Sequence, residues 1–355
     1  MSNQPTNNTD RAQNGQHALM LVKKIFLPLL LIIAIISLIT DSIFTKVLTQ
    51  KAELSNSYKL GKLENQEDYN NEIGIFGPSI ARNAYYCDSL GPNYYNYCME
   101  NAGVVINELL IRIEASKDKN TPIIMDYHFR FLEQDHTGSS INLRTYLPYV
   151  RKDKRIKDFL VENDKFRPHQ VIPGGRYFGV YSSYTKDYLA EYYQPRKEYH
   201  RGGVFNKKAP SESRMNELIK VRKDKGMAPF IRNAEYEARL EKIFADNPER
   251  PFLLIGSARH YSIIDMLEGY DDMKGWGAEM QNKYQNVRVV IFEADYPDSY
   301  FKDTGHLSLE GAKVFSGQMR ESLKDIGLYF TGEEASYDLG PRPDDIILIK
   351  LEDPA

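Results

Sequence analysis

The chain has 355 residues, a net charge of −3 and a pI of about 6.2, a balance that argues against a general polyanion-binding protein. Hydrophobic residues make up 42% of it, the share of a globular core plus an apolar excess near the N-terminus. The length suits one large domain or two small ones.

A polar leader, residues 1–22, precedes the run KKIFLPLLLIIAIISLITDSIF, which carries no charge from Ile25 to Thr40. A spanning helix needs roughly 20 apolar residues, with about 17 the practical minimum. The run is slightly short, so it spans only if Asp41 and the flanking lysines reach the interface. A cleaved signal peptide is the rival, but no A-x-A-like site follows and the polar leader is long for one. Lys23 and Lys24 before the run, against Asp41 after it, favour a cytoplasmic N-terminus. The expectation is a cytoplasmic tail (1–22), a transmembrane anchor (23–45) and a polar linker (46–70), with the chain from about residue 46 outside the cytoplasm.

From residue 71, strands and helices alternate. EIGIFG reads as a strand, PSIARNAYYCDSL as a helix stopped by Gly91-Pro92, and NYYNYC as a second strand. VVINELLIRIEA is a helix with Ile106, Leu109, Leu110 and Ile113 on one face, and TPIIMDYHF a third strand. A helix at about 232–246 precedes RPFLLIGS, and VRVVIFEA follows as a further strand. Such alternation implies a mostly parallel sheet covered by helices, an α/β domain over about 71–329. The tail, 330–355, ends in DDIILIKLEDPA and reads as a late strand or an extension. The two cysteines, Cys87 and Cys98, form a candidate disulfide in an exported domain, with two buried thiols as the alternative.

Residues 151–226 differ in composition. They hold 19 Lys plus Arg against 10 Asp plus Glu, so the segment is +9 while the rest of the chain is −12. They also contain the Tyr-rich run GGRYFGVYSSYTKDYLAEYYQPRKEYHRGG. The plain reading is an inserted cap with a solvated charged surface. The functional reading is a basic aromatic surface for a polysaccharide, with Tyr stacking on sugar faces and cations meeting anionic groups. Nucleic acid is not an expected partner outside a membrane.

FKDTGHLSLEGAKVF sets Asp303 and His306 three residues apart, before a helix whose N-cap is Ser308. The helix has no need of the pair, because Ser308 already caps it. An Asp that holds an imidazole in one tautomer and stabilises its cation is what a general base requires. Alone, D-x-x-H is a weak signal. It gains from Ser79 in IFGPSIARN, straight after a strand and at the first turn of a helix, where backbone N–H groups favour an oxyanion. The plain alternative for Ser79 is a helix N-cap. Ser257, in LLIGSARHYS with His260 nearby, competes as a second serine after a strand.

The blocks FGPSIAR and DTGHLSLEGAKVF resemble the SGNH/GDSL hydrolase family, over about residues 71–135 and 230–328. The resemblance implies a five-stranded, flavodoxin-like three-layer α/β/α sandwich. It also implies Ser79 as nucleophile, His306 as general base and Asp303 as its orienter, and its nucleophile-first order argues against Ser257. An anchor followed by such a domain with a Tyr-rich insert resembles the membrane-tethered branch. That branch acts in D-alanyl transfer to teichoic acids and O-acetylation of exported polysaccharides. The resemblance therefore implies a serine esterase or O-acyltransferase acting on a cell-envelope glycan, without cofactor, with an integral-membrane acyltransferase as partner for acyl transfer.

Two departures stand out. Pro78 occupies a position where the family usually has Asp or Ser, and the G-x-N-D block that supplies an oxyanion Asn is absent. NYCMENAG takes its place and offers Asn101 or Gly103 as donors. His128, at the end of the third strand, is a candidate substrate contact. The histidines show no metal-ligand spacing. The rival reading is a decayed SGNH-fold protein that serves as a glycan-binding or assembly factor.

Overall fold

The computed structural model describes residues 20, 22–50, 55–65, 71–127, 141–183, 185, 197–226, 229–334 and 336–353. Its centre is a six-stranded parallel sheet built from β1 (Ile73–Phe76), β2 (Tyr94–Asn96), β3 (Ile123–Asp126), β4 (Phe252–Gly256), β5 (Val287–Asp295) and β6 (Ile347–Glu352). The spatial order is β2-β1-β3-β4-β5-β6. The chain leaves β1 towards one edge and β3 towards the other, so the switch point lies between β1 and β3. Open α/β sheets leave a crevice there, at the carboxyl ends of the strands.

The central strands are continuous apolar runs because both faces are covered. Side chains alternate across them, as the period of two requires. Phe252 and Leu254 of β4 join one core with Ile123 and Met125, while Leu253 and Ile255 join the other with Ile124. On the first face lie helices α4 (Val104–Ala115), α7 (Ala234–Asp246) and α8 (Tyr270–Lys283). On the second lie α3 (Ser79–Ala84), α6 (Glu212–Lys225) and α9 (Leu309–Asp325). The fold is mixed α/β with helices against both faces of the sheet.

Several expectations are corrected. Six strands replace five, because the tail pairs Ile347–Glu352 in parallel with residues 290–295 of β5. The expected single helix after β1 divides into Ser79–Ala84 and Cys87–Leu90, with Tyr85 and Tyr86 extended between them. The cysteines are free and buried rather than bridged. Cys87 Sγ lies 3.9 Å from the Arg201 carbonyl and Cys98 Sγ 3.6 Å from that of Ile75. Burial pushes both thiols well above their ordinary value, which leaves them protonated and inert.

The apolar helix α1 runs over Leu27–Gln50, continuing a wider turn at Val22–Phe26. Its span Lys23–Gln50 is long and apolar enough to cross a membrane. Its apolar side chains are exposed, Leu31 at 62% and Ile36 at 57%, unlike those of a core helix. It is not wholly separate from the rest of the protein, however. Its last turns extend beyond residue 45 and dock through Phe44 and Leu48 on Leu147, just before the 151–226 segment, and on Tyr177 and Tyr181 within it. Within the expected linker, α2 (Asn56–Glu64) is capped by Ser55 and buries Lys59, Leu60 and Leu63.

The insertion itself is divided. Helix α5 (Lys154–Glu162) packs Ile156, Phe159 and Leu160 on the α4 side, and a hairpin, Lys197–His200 with Gly203–Asn206, packs Phe205 on the α3 side. The hairpin tip covers the free edge of β2, where Asn96 N–H donates to the Arg201 carbonyl at 2.9 Å.

Candidate active site

The turn after β1 is steric in origin. A Cβ on Gly77 would lie 2.7 Å from Asp126 Cβ and 2.8 Å from Ala81 Cβ, so only glycine lets β1 turn tightly into α3 beside β3. Pro78 is the N-cap, with extended backbone and no side-chain bond to the helix. Ser79 is the first helical residue rather than the cap, so its hydroxyl is not engaged by the N-terminus of its own helix.

At the other end of the chain, Phe301–Asp303 and His306–Leu307 form a small hairpin in which Asp303 pairs with His306. Asp303 Oδ1 accepts the Gly305 N–H at 2.8 Å, which closes the turn. His306 Nδ1 lies 2.9 and 3.1 Å from the two Asp303 oxygens, and His306 Nε2 lies 3.2 Å from Ser79 Oγ. A carboxylate only accepts, so Nδ1 carries the proton and the Nε2 lone pair faces the hydroxyl. Burial pushes the Asp303 carboxyl up. The hydrogen bond and charge of His306, the Gly305 N–H and the Lys302 charge outweigh that and hold it below its ordinary value. The arrangement can take a proton from Ser79 and stabilise the resulting imidazolium.

The residues that fix Ser79 carry little sequence signal. Asn83, one helical turn on, donates to the Ser79 carbonyl at 2.6 Å and accepts from Lys302 Nζ at 2.9 Å. Lys302 adjoins Asp303, so this strap joins the serine and acid sides of the site. Ser316 of α9 accepts the Tyr86 N–H at 2.8 Å and donates to the Ala84 carbonyl at 3.2 Å, which ties α3 to α9. The four-residue spacing from Ser79 to Asn83 was the one signal available beforehand.

Ser257 is not presented to solvent. It is buried, donates to Asp126 at 2.5 Å, and shares that fully buried carboxylate with the Tyr85 hydroxyl at 2.8 Å and Arg259 Nη2 at 3.1 Å. His260 is also fully buried. Its Nδ1 accepts the Ser262 N–H at 3.2 Å as a helix cap, and its Nε2 lies 3.1 Å from Asp298. The Ser262–His260–Asp298 grouping, with Ser262 Oγ 2.8 Å from Nδ1, is a structural cap, not a site open to substrate.

Asn101 and Gly103 lie on the loop after β2, which runs past the nucleophile turn because Met99 N–H donates to the Gly77 carbonyl at 3.1 Å. Asn101 adopts a left-handed φ of 56°. Gly103 is the N-cap of α4, and its carbonyl accepts from the Asn107 backbone and side chain. His128 lies outside the described residues. Among the described residues, no group of three His, Cys, Asp or Glu side chains is placed to hold a metal ion. A cavity of about 380 Å³ between α4, α5 and α7 is ringed by ion pairs and includes none of Ser79, Asp303 and His306. Neither the protein-family models nor the curated proteins compared with this chain gave a match.

Proposed function

We propose that the chain is a membrane-anchored serine esterase or O-acyltransferase of SGNH type, acting outside the cytoplasm on a cell-envelope glycan. The observation that carries this reading is the Ser79–His306–Asp303 relay, in which the hydroxyl, both ring nitrogens and the carboxylate are in sequence at hydrogen-bond distances. Ser79 attacks an acyl carbonyl while His306 Nε2 takes its proton. The tetrahedral intermediate then collapses and the leaving alcohol recovers that proton, which leaves an ester on Ser79. Water or a sugar hydroxyl, deprotonated by His306, attacks this ester to release the acid or form a new ester, and the imidazolium returns the proton to the departing Ser79 oxygen.

Further support comes from the strand order, which is that of flavodoxin-like doubly wound sheets with one strand added, and from Ser79 at the switch point. The insertion lies beside the same helix turn, with Tyr86 stacked on His200 at 4.8 Å and tilted against Phe205 at 5.3 Å. A basic, aromatic neighbour suits a glycan acceptor. Asn101 and Gly103 are the proposed oxyanion donors, and an integral-membrane acyltransferase the proposed source of acyl groups where transfer occurs. Lys23 and Lys24 put the N-terminus in the cytoplasm under this reading.

The test is labelling of the full chain in detergent by a fluorophosphonate probe. Labelling that disappears in Ser79→Ala supports the reading. No labelling of the folded chain, even with the membrane partner supplied, gives the protein to the glycan-binding class instead.

A further inference from the structure

We propose that residues 168–181 of the insertion are an interfacial wedge, seated in the headgroup and outer acyl region of the same bilayer that α1 crosses. The inference rests on the anchor reading and extends it to a second membrane contact.

The uncharged run Ile25–Thr40 is about 24 Å long at 1.5 Å per residue, whereas a bilayer's hydrocarbon core is about 30 Å thick. The apolar slab must therefore reach about four residues beyond Thr40, to the neighbourhood of Phe44, and include Asp41. A lone carboxylate is unfavourable there. Asp41 is not alone. Its carboxylate accepts from Arg176 Nε at 2.7 Å and from the Gly174 N–H at 2.9 Å, and also pairs with Arg176 Nη2. Arg176 is 5% exposed and donates as well to Thr45 Oγ1 at 2.8 Å and to the Pro148 carbonyl at 2.9 Å. The pair is neutral overall and largely hydrogen-bonded, as a charge at that depth requires.

That contact fixes the depth of the insertion. Gly174, with φ of 75°, lies so close to α1 that a Cβ would stand 2.8 Å from Ser37 Cβ. Ser37 is one helical turn inside Asp41, within the apolar run. Around this contact the insertion exposes apolar side chains: Phe178 is 80% exposed and Ile172 55%. Between Asp164 and Asp187 there is no acidic residue, and Lys165 and Arg167 flank the segment as cations, Arg176 being taken up by Asp41. Phe44, Tyr177 and Tyr181 cluster at the same level, with Phe44 and Tyr181 edge to face at 4.8 Å. Apolar tips with flanking cations and no acids, at the boundary depth of a spanning helix, are the chemistry of a lipid interface.

The test places the full chain in phosphatidylcholine–phosphatidylglycerol vesicles and introduces a tryptophan reporter. Trp276, the one native tryptophan, is fully buried and gives an unquenched background. Phe178→Trp and Ile172→Trp change exposed positions, so folding is retained. Both should shift to the blue and lose most of their emission when the lipid is brominated near the ester end of its chains. Ile33→Trp, within α1, should respond instead to bromine near the methyl end. If Ile33→Trp is quenched and neither insertion reporter is, the anchor stands and the wedge is refuted. If no reporter is quenched, both fall. If the insertion reporters stay bright in lipid vesicles but a photoreactive group at position 178 cross-links to a protein in native membranes, the face belongs to a protein partner and the lipid assignment is overturned.

Discussion

His306 Nε2 stands 3.2 Å from Ser79 Oγ although 227 residues separate the two. Neither side chain is committed elsewhere by its own element: Pro78 and Ser308 occupy the caps of α3 and α9. The bond joins two elements, α3 and the 301–307 hairpin, that meet only because α9 packs on the sheet face that α3 also covers.

Ser79→Ala should abolish probe labelling while changing stability by less than about 1 kcal/mol, since no cap is lost. His306→Ala should be about as damaging, because members of a triad act as a unit. Asp303→Asn should retain a small rate, reduced on the order of 10⁴-fold, because an amide can reverse the ring's tautomer without removing the base. Probe labelling and ester hydrolysis, measured beside thermal melts, check all three.

Ser257→Ala should keep the labelling of Ser79 in the folded protein. It removes one donor from Asp126, which retains Tyr85 and Arg259, so a stability loss of about 1–2 kcal/mol is expected. Loss of labelling in a folded Ser257→Ala protein would give the nucleophile to Ser257.

Arg176→Met should be far more harmful than its position in an insertion suggests. It leaves Asp41, with a side chain 6% exposed, buried and without its charge partner, at a cost of about 3–5 kcal/mol. Asp41→Leu combined with Arg176→Met should recover much of that loss. Limited proteolysis of the insertion in the detergent-solubilised full chain reads the effect, and equal damage in the single and double variants would contradict it.

Lys59 gives a pH signature. Its ammonium is fully buried, donating to the Cys98 carbonyl, and burial with the nearby Arg82 charge lowers its value to about 7. In the unfolded chain it titrates near its ordinary value, so between about pH 7 and 10 the unfolded state binds the extra proton. Stability should therefore rise with pH across that window and level off below it. Lys59→Met should flatten the rise and raise the melting temperature at neutral pH. An unchanged slope in the variant would remove Lys59 as its source.

Much of the fold was legible because it is local. IGIF, IIMD and FLLIG are apolar runs of strand length, and VVINELLIRIEA forms a helix over that same stretch. Helix α8 is not legible in the sequence because Gly275 and Gly277 and a polar first turn mask its period, while Trp276 and Met280 bury its inner face. The polar composition of helix α2 makes it look like linker in the sequence. Its partner is tertiary: a Cβ on Gly61 would lie 2.2 Å from the Tyr149 hydroxyl.

The sequence by itself determined the central strands, helices α4, α7 and α9, the Ser308 cap and the closeness of Asp303 to His306, because these depend on periodicity and capping within a few residues. Only the tertiary structure decided which serine faces an imidazole, that Cys87 and Cys98 remain thiols, and that Asp41 is paired with Arg176. Each of those turns on burial and on distances between residues far apart in the chain. A hydroxyl, a thiol or a carboxylate looks the same in sequence whether its neighbour is water, a carbonyl or an opposite charge.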